Sequence, residues 1–245
     1  MNRHEQERLY TRLQEIVSDA KQMVFFGGAG VSTESGIPDF RSVDGLYSQK
    51  YHNIMPEEII SHSYFVKHPT EFYEFYRDKM ICLDAKPNAA HKKLAEWEKR
   101  GILKAVVTQN IDGLHQMAGS QNVYELHGSI HRNYCQKCGK FFDVRYILES
   151  SGVPECDCGG IIKPDVVLYE EGLDNQIIEK AVDAISKADV LIIGGTSLNV
   201  YPAAGFIRYF HGKHLVIINR DATPADSMAE LCIHAKIGEV FSILD

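Results

Sequence analysis

The chain has 245 residues, 44% of them hydrophobic and 24% charged, an ordinary balance for a globular protein long enough to bury a sizeable core. A formal net charge of −7 argues against nucleic acid as a bulk electrostatic partner, and an acidic surface suits a lysine-rich peptide better. No apolar run approaches membrane-spanning length and the first residues hold no apolar signal region, so the expectation is a cytoplasmic protein without membrane contact.

In chain order, residues 3–19 read as an amphipathic helix leading into a short buried strand, Met23-Val24-Phe25-Phe26. Residues 45–87 are rich in aromatics and histidines, with helices expected around Pro56–Ser63 and Thr70–Leu83. A helix over Ala89–Lys99 precedes a strand over Leu103–Val107. The segment from Ile130 to Lys163 carries four of the six cysteines. Next come a strand at Val166–Leu168, a helix at Asn175–Lys187, a strand at Val190–Ile193, a helix at Ala203–His211 and a strand at Leu215–Ile218. Strands alternating with helices predict parallel pairing in a doubly wound α/β sheet. The stretches 45–87 and 130–163 interrupt that alternation and read as insertions building a smaller second domain. The main domain is then 1–44, 88–129 and 164–245.

The residues just after each strand are more informative than the strands. Small and polar residues collect at four strand ends: Gly27-Gly28-Ala29-Gly30, Thr108-Gln109-Asn110-Ile111-Asp112, Gly194-Gly195-Thr196-Ser197 and Asn219-Arg220-Asp221. Ligands of open parallel sheets bind outside the carboxyl ends of the strands. The first loop combines glycines, which let a backbone approach a phosphate, with an acid, an aromatic and an arginine in Asp39-Phe40-Arg41. Taken singly, these segments have plainer readings: Gly28-x-Gly30 as a tight turn, and Thr108 or Asn110 as a helix cap. Cys135-x-x-Cys138 and Cys156-x-Cys158, each ending in a cysteine before a glycine, present four thiolates, which suit closed tetrahedral zinc coordination and hence a structural site. Cys82 and Cys232 stand alone and read as small apolar residues.

The run Gly28-Ala29-Gly30-Val31-Ser32-Thr33-Glu34-Ser35-Gly36-Ile37-Pro38-Asp39-Phe40-Arg41 resembles the signature loop of the sirtuins, the Sir2 family of NAD-dependent protein deacylases. The likeness, to the bacterial type, extends over about residues 10–245, with Thr108–Asp112, Glu125-Leu126-His127-Gly128 and Gly195-Thr196-Ser197 in the family's order. It implies a Rossmann-like NAD-binding domain beside a smaller helical and zinc-binding one. It implies NAD contacts from Gly28, Ala29, Gly30, Thr33, Asp39, Phe40 and Arg41, with Gly45-Leu46-Tyr47 continuing a mobile cofactor segment. Gln109 would hold a ribose, Asn110 and Asp112 the nicotinamide pocket, and Ile111 would also contact the cofactor. Gly195, Thr196, Ser197, Asn219, Arg220, Lys236 and Ile237 would serve the adenosine end. Asn110 and Asp112 join His127 as the catalytic set, His127 also facing the cofactor. Pro164–Glu171 resembles the segment that pairs with the substrate peptide, putting Val167, Leu168 and Tyr169 at the acyl-lysine channel, with Ser197–Pro202 opposite. The second cysteine pair, CxC, is tighter than the family's usual CxxC.

The implied reaction has the acyl oxygen of a modified lysine displace nicotinamide from NAD. His127 then takes a proton from a ribose hydroxyl, which attacks the resulting imidate, and water finally releases free lysine and acyl-ADP-ribose. An imidazole has the intrinsic basicity for that step if it starts neutral. Family members that take acidic acyl groups carry a Tyr and, three residues on, an Arg. Here Tyr73 is succeeded by Arg77, one residue and about 100° of helix too far. Deacetylation of an acetyl-lysine protein or peptide by a monomer is therefore expected, with long-chain deacylation or protein ADP-ribosylation as alternatives on the same NAD site.

Overall fold

In the computed structural model, residues 3–40, 42, 45–48 and 50–245 are described. Among them the strands are β1 (Met23–Gly27), β2 (Leu103–Thr108), β3 (Val123–Glu125), β4 (Gly128–Cys135), β5 (Phe141–Phe142), β6 (Ile162–Val166), β7 (Val190–Gly194), β8 (His214–Ile218) and β9 (Leu231–Ile233). Six of these form one parallel sheet in the order β3-β2-β1-β7-β8-β9. Strand order reverses direction between β1 and β7, so the chain leaves their ends to opposite sides and opens a crevice there. The helices are α1 (Arg3–Asp19), α2 (Pro56–Ile59), α3 (His62–Lys67), α4 (Pro69–Phe75), α5 (Ala89–Lys99), α6 (Leu114–Ala118), α7 (Val144–Glu149), α8 (Asn175–Lys187) and α9 (Ile237–Phe241).

The central strands are apolar on both faces because both are covered. Met23 and Phe25 share one face with Ile192, Val216 and Ile218, packed against Leu13, Ile16, Trp97 and Phe241. Val24 and Phe26 point the other way, with Leu191, Ile193 and Ile217, onto Ala181, Ile185 and Phe206. Burial of each such large side chain stabilises the fold by about 1.5–3 kcal/mol. The alternation slips in β2, where Leu103 and Val106 share a face, because the pairing with β1 shifts register between Met23 and Val24.

Helices α1, α5 and α8 begin and end where the sequence predicts. The start of α5 is set by Asn88, whose side chain accepts from Ala90 N while His91 Nδ1 accepts from Asn88 N. Asp174 caps α8 by accepting from Gln176 N and Ile177 N. Other boundaries differ. Residues 56–63 contain α2 and the start of α3, separated at Ser61, whose hydroxyl caps α3 through Tyr64 N. The expected helix Thr70–Leu83 is α4 and then one wider π turn, Tyr76–Met80. Ala203–Tyr209, with Gly205 inside it, is a 3-10 helix rather than a longer α-helix. The strand expected at Val166–Leu168 ends at Val166 and extends back to Ile162, because residues 162–166 find partners on β4 whereas Val167 and Leu168 do not.

β4, β5 and β6 form a separate antiparallel sheet, β5-β4-β6, whose strands β4 and β6 run unbroken through residues 129 and 163. A third core joins it to the helical insertion: Phe72, Tyr73 and Tyr76 pack with Ile130, Phe142, Ile147 and Ile162. Tyr73 donates its hydroxyl to Ile162 O. Arg77 crosses the same seam, with Nε on Ile147 O at 2.8 Å and Nη2 on Gly152 O at 2.7 Å. No helix among the described residues is long and apolar enough to cross a membrane.

Candidate active site

The carboxyl ends of β1, β2, β7 and β8 open into one cleft of about 660 Å³, within the range of small-molecule sites. Its lining includes Gly28, Ala29, Gly30, Thr33, Asp39, Phe40, Gln109–Asp112, His127, Gly195–Ser197, Asn219, Arg220, Lys236 and Ile237, with Leu46 and Tyr47 but not Gly45 of the segment that follows. Val167, Leu168 and Tyr169 line the same cleft. The expectation for Arg41 falls outside the described residues.

Two glycines have a reason the sequence does not display. A Cβ on Gly28 would lie 2.8 Å from Thr196 Cβ, and one on Gly30 would lie 2.8 Å from Gly195 Cα. Gly30 N donates to Gly195 O at 2.8 Å. Their missing bulk lets the loops after β1 and β7 touch, which sets the floor of the crevice. Gln109 reaches over β1, with Nε2 donating to Thr196 Oγ1 at 3.0 Å, so three strand ends are tied together.

The polar centre is a chain of three side chains. Ser32 Oγ donates to Asp112 Oδ2 at 2.6 Å and accepts from Asn110 Nδ2 at 3.0 Å. The other Asp112 oxygen accepts from Leu114 N at 2.9 Å. Ser32 is 1% exposed, and the sequence reading assigns it no role. Its one local signal is a small hydroxyl two residues beyond the glycine turn. Thr33, expected at the cofactor, turns its hydroxyl back to Gly30 O at 3.0 Å.

His127 sits between β3 and β4. Leu126, 1% exposed, anchors it on one side. On the other, Gly128 at φ +75° makes a turn where any side chain would run into Asp165 O. His127 Nδ1–H donates to Gln109 O at 3.0 Å, so the neutral ring keeps its lone pair on Nε2. Burial pushes the His127 pKa down, partly opposed by the hydrogen bond to Gln109. The result is a neutral imidazole that can accept a proton.

Asp39 organises the loop after β1: Oδ1 accepts from Ser42 N at 2.7 Å, and Oδ2 accepts from Arg220 Nη2 at 3.1 Å. Phe40 and Tyr47 pack with ring centroids 5.3 Å apart. At the far end, Ile237 is 2% exposed and packs into the core beside Gly194, whereas Lys236 is exposed and pairs with Glu239 at 3.3 Å. Cys82, expected as mere filler, lines the cleft. Opposite the sheet, the wall Val167–Tyr169 is held by its own amides: Val167 N donates to His127 O at 3.0 Å and Tyr169 N to Ile60 O at 3.0 Å.

Away from the cleft, the sulfurs of Cys135, Cys138, Cys156 and Cys158 all lie within 4.8 Å of one another. Two of the pairs, Cys135–Cys158 and Cys138–Cys156, are 3.4 and 3.7 Å apart. Four thiolates about 2.3 Å from a tetrahedral zinc would stand about 3.8 Å apart, so the donor set fits that ion. Gly139 and Gly159, after the two pairs, adopt φ of +72° and +73°, the left-handed turns that fold each pair inward. The short CxC spacing does not prevent convergence.

The Sir2 family model matches residues 28–202. An NAD-dependent protein deacetylase of Clostridium acetobutylicum is 63% identical over 93% of this chain and 94% of its own length. One from Clostridium perfringens is 62% identical over 94% and 95%. A solved Sir2 with p53 peptide and NAD+ superposes with a TM-score of 0.84 at 40% identity, covering 94% of this chain and 95% of that one. A Sir2 bound to acetylated peptide gives 0.84 at 38% identity, covering 95% of each chain. By sequence and by fold, the chain belongs to the Sir2 family.

Proposed function

We propose that the protein is an NAD-dependent protein lysine deacetylase, transferring the acetyl group of a modified lysine to ADP-ribose with release of nicotinamide. The observation that carries this reading is the convergence of a neutral His127, the Ser32–Asn110–Asp112 chain and the Val167–Tyr169 wall on one cleft at the strand ends. NAD supplies a ribose carbon bearing a nicotinamide leaving group and the hydroxyls that receive the acetyl group.

Asn110 and Asp112, fixed through Ser32, present an amide and a carboxylate for the nicotinamide carboxamide. Gly28, Ala29, Gly30 and Thr33 would hold the pyrophosphate, Gln109 a ribose, and Gly195, Thr196, Ser197, Asn219, Arg220 and Lys236 the adenosine half. Phe40 covers the reacting end and keeps water from it. His127 Nε2 takes the ribose proton and holds it during transfer. Val167, Leu168 and Tyr169 flank the acetyl-lysine. Cys135, Cys138, Cys156 and Cys158 would hold a zinc ion that cross-links the β4–β6 sheet and supplies no chemistry, since four protein ligands would leave no open position.

Acetyl preference is supported by Arg77, whose guanidinium is held on Ile147 O and Gly152 O instead of facing the cleft. Lys79, which does line the cleft, pairs with Asp78 at 3.0 Å. The reading includes a catalytic unit of 1–44, 88–129 and 164–245, a small domain of 45–87 and 130–163, and a cytoplasmic monomer that does not bind nucleic acid.

Incubating the protein with an acetyl-lysine peptide, with and without NAD, tests the assignment by mass spectrometry. Equal amounts of free-lysine peptide and acetyl-ADP-ribose, only with NAD, are expected. Peptide gaining the mass of ADP-ribose would make it a transferase.

A further inference from the structure

Glu171 has no part in the chemistry above, yet its carboxylate joins three elements. Oε2 accepts from Lys163 Nζ on β6 at 3.0 Å and from Leu168 N at 2.9 Å. Oε1 meets His62 Nδ1, at the start of α3, at 2.9 Å. Its side chain is only 19% exposed and that of Lys163 18%, so the pair is shielded from water. Burial alone would raise the Glu171 pKa, but hydrogen bonds from His62 and Leu168 N, with the charge of Lys163, bring it below the usual carboxylate range. Lys163 also donates to Val166 O at 3.0 Å. One residue earlier, Glu170 stands at φ +74°, a conformation most side chains avoid, with Oε2 accepting from Ser63 N at 2.8 Å. The backbone agrees: His62 N donates to Tyr169 O at 2.9 Å.

These bonds surround the segment whose Val167 amide is fastened to His127 O. Loss of the Glu171 carboxylate leaves the Leu168 amide without its acceptor and the Lys163 ammonium with backbone carbonyls alone, and frees the wall to shift against α3. The carboxylate's partners Lys163, Leu168 and His62 lie outside the cofactor loops after β1, β2 and β7; the wall meets the first of these loops through a different group, where Tyr169 Oη lies 3.1 Å from Tyr47 Oη.

We propose that Glu171 is a positioning residue for the acyl-lysine peptide, its carboxylate clamping the Val167–Tyr169 wall between β6 and α3. The proposal rests on the deacetylase reading. It predicts an effect on peptide binding that is separable from NAD binding and from chemistry.

The experiment compares wild type with E171A, E171Q and K163M. Peptide and NAD KM, kcat, melting temperature and anisotropy of a fluorescein-labelled acetyl-lysine peptide are measured. About a tenfold rise in peptide KM and Kd for E171A is expected, with kcat and NAD KM within twofold. E171Q, which keeps an acceptor for Leu168 N, should fall between E171A and wild type, and K163M should shift the same way. Unchanged peptide Kd in E171A and K163M would overturn the proposal. So would NAD KM, kcat and peptide Kd all deteriorating together, the mark of a merely structural role. If E171A does not fold, K163M and E171Q decide by the same criteria. Wild type without NAD-dependent turnover would sink the deacetylase reading, while the anisotropy series still judges the clamp.

Discussion

Ser32 and Asp112 lie 80 residues apart in sequence and share a 2.6 Å hydrogen bond at the centre of the cleft, with Asn110 donating to the same hydroxyl. One small side chain therefore fixes the orientation of two groups that line the cleft. Ser32→Ala removes a hydrogen bond to a charged acceptor, worth about 1.5–3 kcal/mol, which corresponds to a loss of roughly 10- to 100-fold in kcat/KM. Steady-state kinetics on the variant, with a melting curve to show that the fold persists, checks this.

In the proposed reaction His127 carries the proton, so its lowered pKa sets the acid side of the activity profile. Because burial depresses that pKa below its ordinary value, the ring is neutral at pH 7 and activity falls only as pH drops through the depressed value. The acid limb of kcat/KM for the peptide should have its midpoint below pH 6.5, the ordinary histidine value. His127→Ala should lose about 10²- to 10⁴-fold or more, with NAD binding retained. A midpoint at or above the ordinary value would contradict the burial argument.

His91 and His115 form a buried pair beneath the site, ring centroids 4.7 Å apart, and neither nitrogen of His115 has a protein hydrogen-bond partner. Burial lowers the His91 pKa to about 4, opposed by the charge of Asp112, and lowers that of His115 through burial and then His91. The unfolded chain therefore binds protons that the native state refuses. Stability is complete above about pH 6.5 and declines as pH falls toward 4, because protonating either ring places a charge in a buried site. Urea melts at pH 7 and pH 5 should show this slope, and His115→Leu should flatten it.

The close approach of the loops after β1 and β7 makes Gly30 intolerant of a side chain. Gly30→Ala puts a methyl 2.8 Å from Gly195 Cα, backbone that cannot rotate away, and should cost about 1–3 kcal/mol as overpacking. The same change at Gly139, at φ +72° with open space around it, brings backbone strain without a clash. Melting temperatures should rank Gly30→Ala below Gly139→Ala.

Removal of zinc tests the four-cysteine cluster. Chelation, or Cys156→Ser, should loosen the β4–β6 sheet and lower the melting temperature, since a closed zinc site contributes directly to folding. NAD affinity should change less than peptide affinity, because β6 leads directly into the Val167–Tyr169 wall. Metal content by mass spectrometry before and after treatment gives the stoichiometry.

Much of this architecture is legible in the sequence. Four apolar runs ending in small and polar residues announce a parallel sheet with its site at the strand ends, because such residues are otherwise poor neighbours for buried strands. The cysteine spacings likewise announce a metal site. Other features are not legible. The strands β3, β4, β5 and β9 are short or pair with distant segments, and no local period marks them. The strand expected at Val166–Leu168 lies instead at Ile162–Val166 because pairing with β4, distant in sequence, outranks local apolar content.

By itself, the sequence determined which residue types could do the chemistry, through motifs whose local backbone needs are strict: glycine where loops meet, a histidine before a positive-φ glycine, thiols at knuckle spacing. Only the tertiary structure decided who holds them. Ser32 finds Asp112, Val167 finds His127, and Glu171 finds both Lys163 and His62 through space alone. A buried polar group must satisfy its bonds with whatever the fold brings near, and that neighbour is set by sheet order and packing.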